Sequence, residues 1–359
     1  MMKKSIIFIL PDLEAGGAER IVTTLANNLP RERYIPSILL LRKEGAYLDL
    51  LQPDVEIIDI ATERIRHSLK PILLEIKRRK PDIVFTGFGE VNAYLALFTK
   101  LFPYTKFVAR ETNVVSKHVT RREIRFFYKF YNAYDRIIAQ SNDMQQDLIK
   151  NFGVKKKKII KINNPVDVSF IEEKLKESVR PAAFSVQYKN VVAIGNLSAR
   201  KGFDNLLKVF TRLKDQNILL HILGDGKDKE ILIRMKEMLG LDHVIFHGKK
   251  SNPYQYLKYA DLFILSSRYE GFPNVLLEAG TCGVYSVAND CPGGIDEIIK
   301  DQVNGEIAPI ENYDAFADSI LRALNNNKNN NKELIKETIN SRFSKEIILQ
   351  QYDHLLWNL

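Results

Sequence analysis

The sequence of 359 residues has few of the features that mark secreted or membrane-spanning proteins. Its two cysteines, Cys282 and Cys291, give neither a disulfide framework nor a recurring zinc-ligand spacing, so both are predicted to be packing residues. The longest apolar runs, such as 5–10 and 262–265, are far shorter than the ~20 residues that a membrane-spanning helix needs. The two lysines near the amino terminus precede a short apolar run without a small-residue cleavage site. We therefore interpret 5–10 as a first strand and expect a cytoplasmic protein.

Several common motifs are also missing. No Asp-x-Asp triplet occurs, so the usual indication of a metal-bound diphosphate is lacking, and we predict neither a metal nor another cofactor. The turn after the first predicted strand lacks the Gly-x-Gly-x-x-Gly pattern of dinucleotide-dependent oxidoreductases. No internal repeat of solenoid type is present.

The chain does carry a formal charge of +9, which favours an anionic partner. Nucleic acid, a phosphorylated substrate and acidic lipid all satisfy this charge. Nucleic acid explains none of the motifs described below, so we do not predict it as a partner.

Short β-branched runs alternate with amphipathic segments through most of the chain, which is typical of parallel sheets covered by helices. We predict an α/β protein with two doubly wound domains. The predicted strands are 5–10, 38–41, 55–60, 82–86, 107–110, 136–140 and 159–162, followed by 191–195, 219–223, 244–247, 262–265 and 285–288.

A linker around Pro181 places the predicted domain boundary near residue 182. The predicted domains are 1–182 and 183–340. Residues 341–359 are predicted to hold a closing helix, from about 345 to 357, that can cross back to the first domain. In such folds, ligands bind at the carboxyl ends of the parallel strands.

One segment at such a strand end combines a loop, a proline and a helix start. It reads Ser266-Ser-Arg-Tyr-Glu-Gly-Phe-Pro-Asn-Val-Leu-Leu-Glu and follows the predicted strand 262–265. The first amides of the helix, those of Asn274, Val275 and Leu276, are expected to form an anion site suited to a diphosphate.

Two carboxylates flank this helix start. Glu278 lies one turn into the helix, where it can accept hydrogen bonds from ribose hydroxyls. Glu270 lies before the helix and can hold a sugar hydroxyl. Taken singly, the two also fit an ordinary loop acid and a first-turn acid that complements the helix dipole.

As a unit, Glu270-Gly-Phe-Pro-Asn-Val-Leu-Leu-Glu278 closely resembles the E-x7-E motif of retaining glycosyltransferases of the GT-B fold, especially family four. The resemblance implies two Rossmann-like domains facing a central cleft, with 1–182 on the acceptor side and 183–340 binding the nucleotide sugar. It also implies a nucleotide-diphosphate sugar as donor and retention at the anomeric carbon. It extends over nearly the whole chain, because further segments follow in family order: Tyr259-Ala-Asp-Leu-Phe-Ile-Leu-Ser-Ser, Glu278-Ala-Gly-Thr-Cys-Gly, Pro292-Gly-Gly-Ile-Asp-Glu-Ile and Asn304-Gly. The donor-binding residues that it implies in the central motif are Gly271, Phe272, Asn274, Val275, Leu276 and Glu278.

A basic motif, Ala193-Ile-Gly-Asn-Leu-Ser-Ala-Arg-Lys-Gly, ends another predicted strand. Its position lets Arg200 and Lys201 reach phosphate oxygens, and Lys201 resembles the family's lysine that neutralises the leaving diphosphate. The family usually has arginine where donor-binding Asn196 stands, so one charge is missing or comes from Arg200. A solvated basic helix start is the alternative. We predict Lys201, Arg200 and Glu270 as catalytic residues, with Glu270 in a positioning role.

Turn residues complete the predicted donor site. Gly224, Gly248 and Lys249 follow strands and resemble family elements near the nucleotide, although plain turn glycines are the alternative. Gly16 and Gly17 follow the first strand and permit close approach of the backbone to a phosphate or an acceptor. They resemble a family turn, and a purely structural turn is the alternative.

The chain departs from the family pattern at Ala109-Arg-Glu-Thr, where many relatives have histidine in place of Thr112. If that histidine aligns donor sugar or acceptor, the arrangement differs here. His118 lies nearby, but we interpret this lone loop histidine as incidental rather than catalytic.

On a helical wheel, residues 121–136 place their basic residues in one sector of roughly 100° and their aromatic residues in the remainder. Such a helix suits anionic lipid or the pyrophosphate of a lipid carrier, whereas packing of the aromatics into the core is the alternative. Enzymes that extend polyprenyl-diphosphate-linked glycans place a similar helix near the acceptor, as the resemblance implies. We predict that Arg122, Arg125 and Lys129 contact the acceptor or the membrane.

The resulting hypothesis is a retaining hexosyl- or N-acetylhexosaminyl-transferase. It would move a sugar from a UDP-linked donor to a glycan or polyprenyl-diphosphate-linked acceptor in cell-surface polysaccharide or glycan assembly. We expect it to be peripheral at the inner face of the cytoplasmic membrane. A nucleotide-sugar epimerase of the same fold and a non-catalytic nucleotide-sugar-binding partner are the alternatives.

Overall fold

The predicted alternation of strands and helices gives two separate parallel sheets. The computed structural model describes residues 2–14, 16–326 and 331–359. Its contacts divide the chain into a first unit, Met1–Pro165 with Glu346–Leu359, and a second unit, Val166–Lys345.

The described residues of the first unit form a seven-stranded parallel sheet in the order β3-β2-β1-β4-β5-β6-β7. Short 3-10 turns lie at Leu48–Leu50, Thr99–Leu101, Tyr128–Ala133 and Lys156–Lys158. The elements are β1 (Lys4–Leu10), α1 (Gly17–Asn28), β2 (Tyr34–Leu40), β3 (Glu56–Asp59), α2 (Ile65–Arg79), β4 (Ile83–Thr86), α3 (Gly89–Leu95), β5 (Lys106–Arg110), α4 (Val115–His118), α5 (Arg122–Phe127), β6 (Arg136–Ala139), α6 (Asn142–Phe152) and β7 (Ile159–Lys161).

The second unit, as far as it is described, has a six-stranded parallel sheet in the order β10-β9-β8-β11-β12-β13. Within the described ranges, no helix of the chain has the length and apolarity that spanning a membrane requires. The elements are α7 (Val168–Lys176), β8 (Lys189–Ile194), a 3-10 turn (Ala199–Lys201), α8 (Phe203–Phe210), β9 (Ile218–Leu223), α9 (Lys229–Met238), β10 (Val244–Gly248), α10 (Tyr254–Lys258), β11 (Leu262–Leu265), α11 (Asn274–Thr281), β12 (Ser286–Asn289), α12 (Ile295–Ile298), β13 (Gly305–Ala308), α13 (Tyr313–Asn325), α14 (Lys332–Phe343) and α15 (Lys345–Trp357), which belongs to the first unit from Glu346 onward.

Helices cover both faces of each sheet, so the central strands are buried on both sides. In β1, Ile7 and Ile9 pack into one apolar cluster, while Ile6, Phe8 and Leu10 pack into another on the opposite face. Alternate residues of a strand point to opposite faces, and here both sets are apolar. This explains why continuous β-branched runs in the sequence mark the strands.

Each of the twelve predicted strands overlaps a strand of the structure, but β13 was not predicted. This strand has four residues, begins with Gly305 and lies at the edge of its sheet. Its two end residues are buried, but Glu306 is half-buried and Ile307 is exposed, so it lacks the continuous apolar run on which the predictions were based.

The predicted domain boundary near 182 lies too far along the chain, because the units change between Pro165 and Val166. Helix α7 belongs to the second unit, where Ile171 is buried in an apolar cluster and Lys258 Nζ donates to the Leu175 carbonyl at 2.7 Å. The predicted closing segment 341–359 likewise begins too early. Phe343 packs in the second unit, and the first unit resumes at Glu346.

The predicted continuous helix over 121–136 is wrong. The α-helix α5 ends at Phe127, a 3-10 turn follows to Ala133, and Arg136 begins β6. Three of the aromatic residues on the wheel are fully buried tyrosines, Tyr128, Tyr131 and Tyr134, as the alternative of core packing predicts. Their hydroxyls find buried partners in the unit, which a helical wheel cannot represent.

Helices α11 and α14 pack closely at Gly280, so a larger residue there is expected to lower the stability of the protein. A Cβ on Gly280 would lie 2.4 Å from Ile339 Cγ1, so Gly280→Ala is expected to lower the free energy of unfolding by about 1–3 kcal/mol. Chemical denaturation of the two proteins measures this change.

The double variant with Ile339→Ala serves as the control. Ile339→Ala removes the atom that the new methyl group would meet, so Gly280→Ala should cost less on that background. Strictly additive effects of the two changes would contradict the proposed steric contact.

Candidate functional site

The candidate site of the second unit is built around the carboxylate of Glu270, in the loop between β11 and α11. Its Oε1 accepts hydrogen bonds from Lys201 Nζ at 2.5 Å and from Ser267 Oγ at 2.6 Å. Its Oε2 accepts from Arg200 Nη1 at 2.5 Å. One carboxylate therefore joins the loop after β11 to the loop after β8, and it brings the three predicted catalytic residues together.

These charges are largely shielded from solvent. The side chain of Glu270 is 6% exposed, that of Lys201 is 11% exposed and that of Arg200 is 27% exposed. Burial favours a raised pKa for Glu270, but the charges of Lys201 and Arg200, with hydrogen bonds from Lys201 and Ser267, hold it below the ordinary value of 4.5. Glu270 is therefore ionised at neutral pH and fixes two cations at the carboxyl end of the sheet.

Hydrogen bonds to backbone carbonyls also hold the loop after β11 against the loop after β8. Ser266 Oγ donates to the Lys201 carbonyl at 2.8 Å, and the Arg268 amide donates to the Arg200 carbonyl at 2.8 Å. Between the two cations and α8, Gly202 has φ of 65°, and a Cβ there would lie 2.0 Å from the Ser266 carbonyl oxygen. Glycine is required at this close approach.

Behind Glu270 lies a second turn, at Pro292 and Gly293. The Glu270 amide donates to the Pro292 carbonyl at 2.8 Å, and a Cβ on Gly293 would lie 2.6 Å from the Glu270 carbonyl. Asn289 Nδ2 donates to the Ser267 carbonyl at 2.9 Å. The end of β12 thus supports the loop that carries the carboxylate.

The predicted turn residues near the nucleotide lie at neighbouring strand ends. The Gly224 amide donates to the Gly248 carbonyl at 2.9 Å, so the ends of β9 and β10 are joined. Gly248 has φ of 68° and open space around its Cα. Asn196, after β8, and Lys249, after β10, are exposed.

Helix α11 begins where the motif predicts, but one of its predicted anion donors is engaged. The Leu276 amide donates to the Pro273 carbonyl at 3.1 Å, because the helix starts with a tight turn. The prediction of an open amide at Leu276 is therefore wrong. Asn274 and Val275 are half-buried at the helix start, and Glu278 is 7% exposed one turn further on.

The aromatic residue of the motif is part of the core. Phe272 is 4% exposed, and its ring packs edge-on against Phe343 with 5.4 Å between centroids. Gly271 beside it is also buried. The ring of Phe272 therefore anchors the loop by packing, and its predicted contact with the donor stays a prediction.

In the first unit, the turn at Gly16 and Gly17 leads into α1, and Glu19 folds back onto it. A Cβ on Gly16 would lie 2.1 Å from Glu19 Oε2. Burial raises the pKa of Glu19, although hydrogen bonds from its own amide and that of Ala18 oppose this change. The amides that hold this carboxylate are those of Ala18 and Glu19, directly after the predicted Gly16 and Gly17.

The three predicted acceptor or membrane residues line one pocket of about 410 Å³ in the first unit. Phe126 and Phe152 also line it. The Arg125 guanidinium lies 5.3 Å from the ring centre of Phe152, and Lys129 Nζ lies 5.2 Å from that of Phe126. Arg122, Arg125 and Lys129 therefore form a shared basic surface with aromatic walls, called here the basic pocket.

Sequence reasoning missed two residues. Ser267 stands inside the quoted motif, yet nothing in its pattern shows that its hydroxyl binds Glu270. Glu111 stands beside Thr112 at the departure from the family, and its burial marks it out only in the folded chain. Glu111, Thr112 and His118 line a second pocket of the first unit, of about 170 Å³.

Two family models match this chain. The model described as Glycosyl transferases group 1 matches residues 176–341, which include the Glu270 cluster. The model described as Glycosyltransferase Family 4 matches residues 15–170, which include the basic pocket. Each unit thus has a matching family model.

Similar proteins cover both units together. The chain is 27% identical over 348 residues to the N-acetylgalactosamine-N,N'-diacetylbacillosaminyl-diphospho-undecaprenol 4-alpha-N-acetylgalactosaminyltransferase of Campylobacter jejuni, covering 91% of this chain and 92% of that protein. It is 23% identical to an amylovoran biosynthesis glycosyltransferase of Erwinia amylovora, covering 88% of each. HepE of Anabaena, solved in complex with UDP, has a TM-score of 0.82 at 21% identity, with all of both chains covered. The predicted fold class, two parallel-sheet α/β domains of the GT-B type, is confirmed.

The Glu270 cluster predicts a pH-dependent stability. Glu270→Gln leaves Arg200 and Lys201 without their counter-charge. Breaking a buried ion pair costs about 3–5 kcal/mol. Because Arg200 is partly exposed, we expect the free energy of unfolding at pH 7 to fall by about 3 kcal/mol, the low end of that range. The folded pKa of Glu270 lies below 4.5, so its contribution is complete above pH 4.5 and declines as the pH falls through the folded value. Denaturation of both proteins between pH 7 and pH 3 should show that the difference between their free energies of unfolding becomes smaller below pH 4.5.

Asp204→Asn provides a matched control. Asp204 also pairs with an arginine, Arg268 at 2.6 Å, but both side chains are more than one third exposed. We expect a loss of at most about 1 kcal/mol for this exposed pair. Equal losses in the two variants would overturn the argument from burial.

Proposed function

Because the chain belongs to the glycosyltransferases of the GT-B fold, we propose that it transfers a sugar from a UDP-linked donor to a hydroxyl group of a lipid-linked or glycan acceptor, with retention at the anomeric carbon. The observation that carries the proposal is the Glu270 carboxylate, which holds Arg200 and Lys201 together at adjacent strand ends. A UDP donor is supported by the UDP bound to HepE. A lipid-linked acceptor in glycan assembly is supported by the diphospho-undecaprenol in the name of the Campylobacter jejuni relative.

In the proposed reaction, the bond between the anomeric carbon and the diphosphate oxygen breaks. The acceptor oxygen bonds to that carbon on the same face, and its proton passes to the leaving diphosphate. Negative charge grows on the diphosphate, where Lys201 and Arg200 supply fixed positive charge. Because both oxygens of Glu270 already accept hydrogen bonds, Glu270 serves to position the two cations rather than as a general base.

The rest of the donor site follows from the strand ends. Glu278 is proposed to accept hydrogen bonds from the ribose, beside the start of α11 at Asn274 and Val275. Gly248, with open space around its Cα at the end of β10, leaves room for the base. Since the cations supply the charge that stabilises the diphosphate, we expect no requirement for a metal ion.

A direct test uses a panel of UDP-linked sugars with an N-acetylgalactosamine-terminated diphospho-undecaprenol glycan as acceptor. Mass spectrometry should detect an acceptor longer by one sugar, and NMR should show the anomeric configuration of the donor in the product. Activity should persist in EDTA. An epimerised sugar formed from donor alone, or failure to bind any nucleotide sugar in calorimetry, would refute the proposal.

Lys201→Met tests the charge on the leaving group. The change removes the ammonium group but keeps most of the apolar stem, and loss of one such group at a developing charge is expected to lower kcat by roughly 100- to 1000-fold. Steady-state kinetics with saturating donor and acceptor measure the effect. Lys208→Met, on α8 beside Tyr313, is the matched control and should keep kcat within about threefold. A Lys201→Met enzyme with near-normal kcat would contradict the assignment.

The basic pocket is proposed to bind the diphosphate of a lipid-linked acceptor at an anionic membrane surface. Arg122, Arg125 and Lys129 line it together, and Phe126 beside them is 51% exposed. Basic residues attract anionic lipid, and an exposed aromatic ring favours the interfacial region. We therefore propose peripheral binding at the inner face of the cytoplasmic membrane.

Joint replacement of Arg122, Arg125 and Lys129 by alanine tests this role. Each charge near an anionic surface contributes about 1 kcal/mol, so binding to vesicles containing phosphatidylglycerol should weaken by roughly 100-fold. Transfer to the lipid-linked acceptor should fall in parallel, while calorimetric UDP binding stays normal.

The control removes the same number of charges elsewhere. Lys176, Lys227 and Lys300 are exposed residues of the second unit, and their joint replacement by alanine should leave vesicle binding almost unchanged. If both triple variants bind vesicles equally well, net charge rather than the basic pocket determines membrane binding.

A further inference from the structure

Two adjoining pockets of the first unit lie outside the cation cluster described above. The larger has a volume of about 490 Å³, and the smaller, already noted beside Thr112 and His118, has about 170 Å³. Phe88, Glu90 and Arg121 line both, so the smaller pocket is a side pocket of the larger one. The larger volume falls within the ~300–1,000 Å³ of typical ligand sites, whereas the side pocket suits one small group.

Glu111, which follows β5 and is 3% exposed, lines the side pocket. Its Oε1 accepts hydrogen bonds from the Tyr131 hydroxyl and from Asn92 Nδ2, the latter at 3.1 Å. Among the described residues, its Oε2 has one hydrogen-bond partner, the Tyr128 hydroxyl at a long 3.4 Å. A carboxylate oxygen has room for two hydrogen bonds, so Oε2 retains accepting capacity.

The surroundings of Glu111 explain what it would bind. Burial raises its pKa, while hydrogen bonds from Tyr131, Asn92 and Tyr128 act in the opposite direction. No lysine or arginine of the described residues forms an ion pair with it, in contrast to Glu270. A buried carboxylate held only by neutral donors is stabilised by each further donor that reaches it.

The space in front of Oε2 is open because residue 89 is glycine. Gly89 is the first residue of α3 and lines the side pocket. A Cβ built there would lie 3.4 Å from both Glu111 Oε2 and the Tyr128 hydroxyl. These are ordinary contacts, so a methyl group would fit without strain but would stand in front of the oxygen.

Helix α5 connects the side pocket to the basic pocket. Ile124 lines the side pocket, and its neighbours on the same helix, Arg122 and Arg125, line the basic pocket. The cations proposed for the donor diphosphate belong to the second unit, whereas these pockets belong to the first. The sugar side of a lipid-linked acceptor is therefore the ligand that fits a polar pocket beside a basic one.

We propose that the side pocket binds one sugar residue of the acceptor and that Glu111 Oε2 accepts a hydrogen bond from a hydroxyl group of that sugar. Phe88 and Ile124 give the pocket an apolar wall, against which the apolar face of the sugar ring, formed by its C–H groups, packs. This inference rests on the proposed glycosyl transfer and adds the residue that recognises the acceptor.

Gly89→Ala tests the inference without altering the hydrogen bonds of Glu111. The methyl group would exclude the sugar hydroxyl, so kcat/KM for the lipid-linked acceptor should fall roughly 10- to 100-fold, mainly through KM. Because alanine is a better helix former than glycine, the Tm should stay the same or rise slightly. UDP binding should match that of the wild type.

Glu111→Gln should give a similar fall in kcat/KM with a normal KM for the donor. Asp82→Asn is its control, because it makes the same chemical change in a carboxylate of the same unit that accepts from the Ser5 amide at 2.8 Å. That variant should keep the acceptor KM. Synthetic acceptors lacking one hydroxyl group each provide a further readout. One of them should be an equally poor substrate for the wild type and for Glu111→Gln.

The outcomes separate this inference from the proposed function. If the wild type elongates the acceptor and both variants equal it, or if both raise the donor KM instead, the side pocket does not bind the acceptor. If the wild type does not elongate this acceptor, saturation-transfer NMR with its free glycan decides the matter. Contacts present in the wild type and lost in Gly89→Ala support the pocket even though the transfer proposal fails, and contacts absent in the wild type overturn it.

Discussion

The candidate site depends on one buried carboxylate that holds two cations. Glu270 sits on the loop after β11, and Arg200 and Lys201 sit on the loop after β8, so their ion pairs join adjacent central strands. Removing a carboxylate from water is costly, and the cost is offset here because both oxygens accept hydrogen bonds from cationic groups. The same demand explains the glycines at 202 and 293, where any side chain would push the loops apart.

Glu111 is also a buried carboxylate, but it is stabilised in a different way. It is as deeply buried as Glu270, but tyrosine and asparagine groups surround it instead of cations. The pKa of Glu270 is therefore lowered and that of Glu111 is raised, although burial acts on both in the same direction. The first carboxylate is balanced by charges of the chain, while the second is supported by hydrogen bonds alone. The same residue type thus fixes two cations in one unit and, as proposed, binds a sugar hydroxyl in the other.

The sequence predicts the strands well because helices cover both faces of the sheets, which makes buried parallel strands continuous apolar runs. It predicts which residues lie at the site but not their mutual contacts. Glu270 and Lys201 were each expected to touch a ligand, yet they bind one another across 69 residues of chain. The prediction of one continuous helix over 121–136 was wrong for a related reason. Its tyrosines turn inward to reach Glu111 and the Asn92 carbonyl, and these partners are distant in sequence.

Fixed charges are useful in catalysis because they need not reorganise when charge develops on the substrate. Lys201 meets this requirement, since its side chain is 11% exposed and its ammonium group donates to a carboxylate that Ser267 also holds. Arg200 is more exposed, and the ring of Tyr269 lies 5.9 Å from its guanidinium carbon. The two cations are therefore unequal: Lys201 is held in place by burial, whereas Arg200 keeps contact with solvent. Lys201 therefore needs the smaller rearrangement, which makes it the better placed of the two for the proposed stabilisation of a leaving diphosphate.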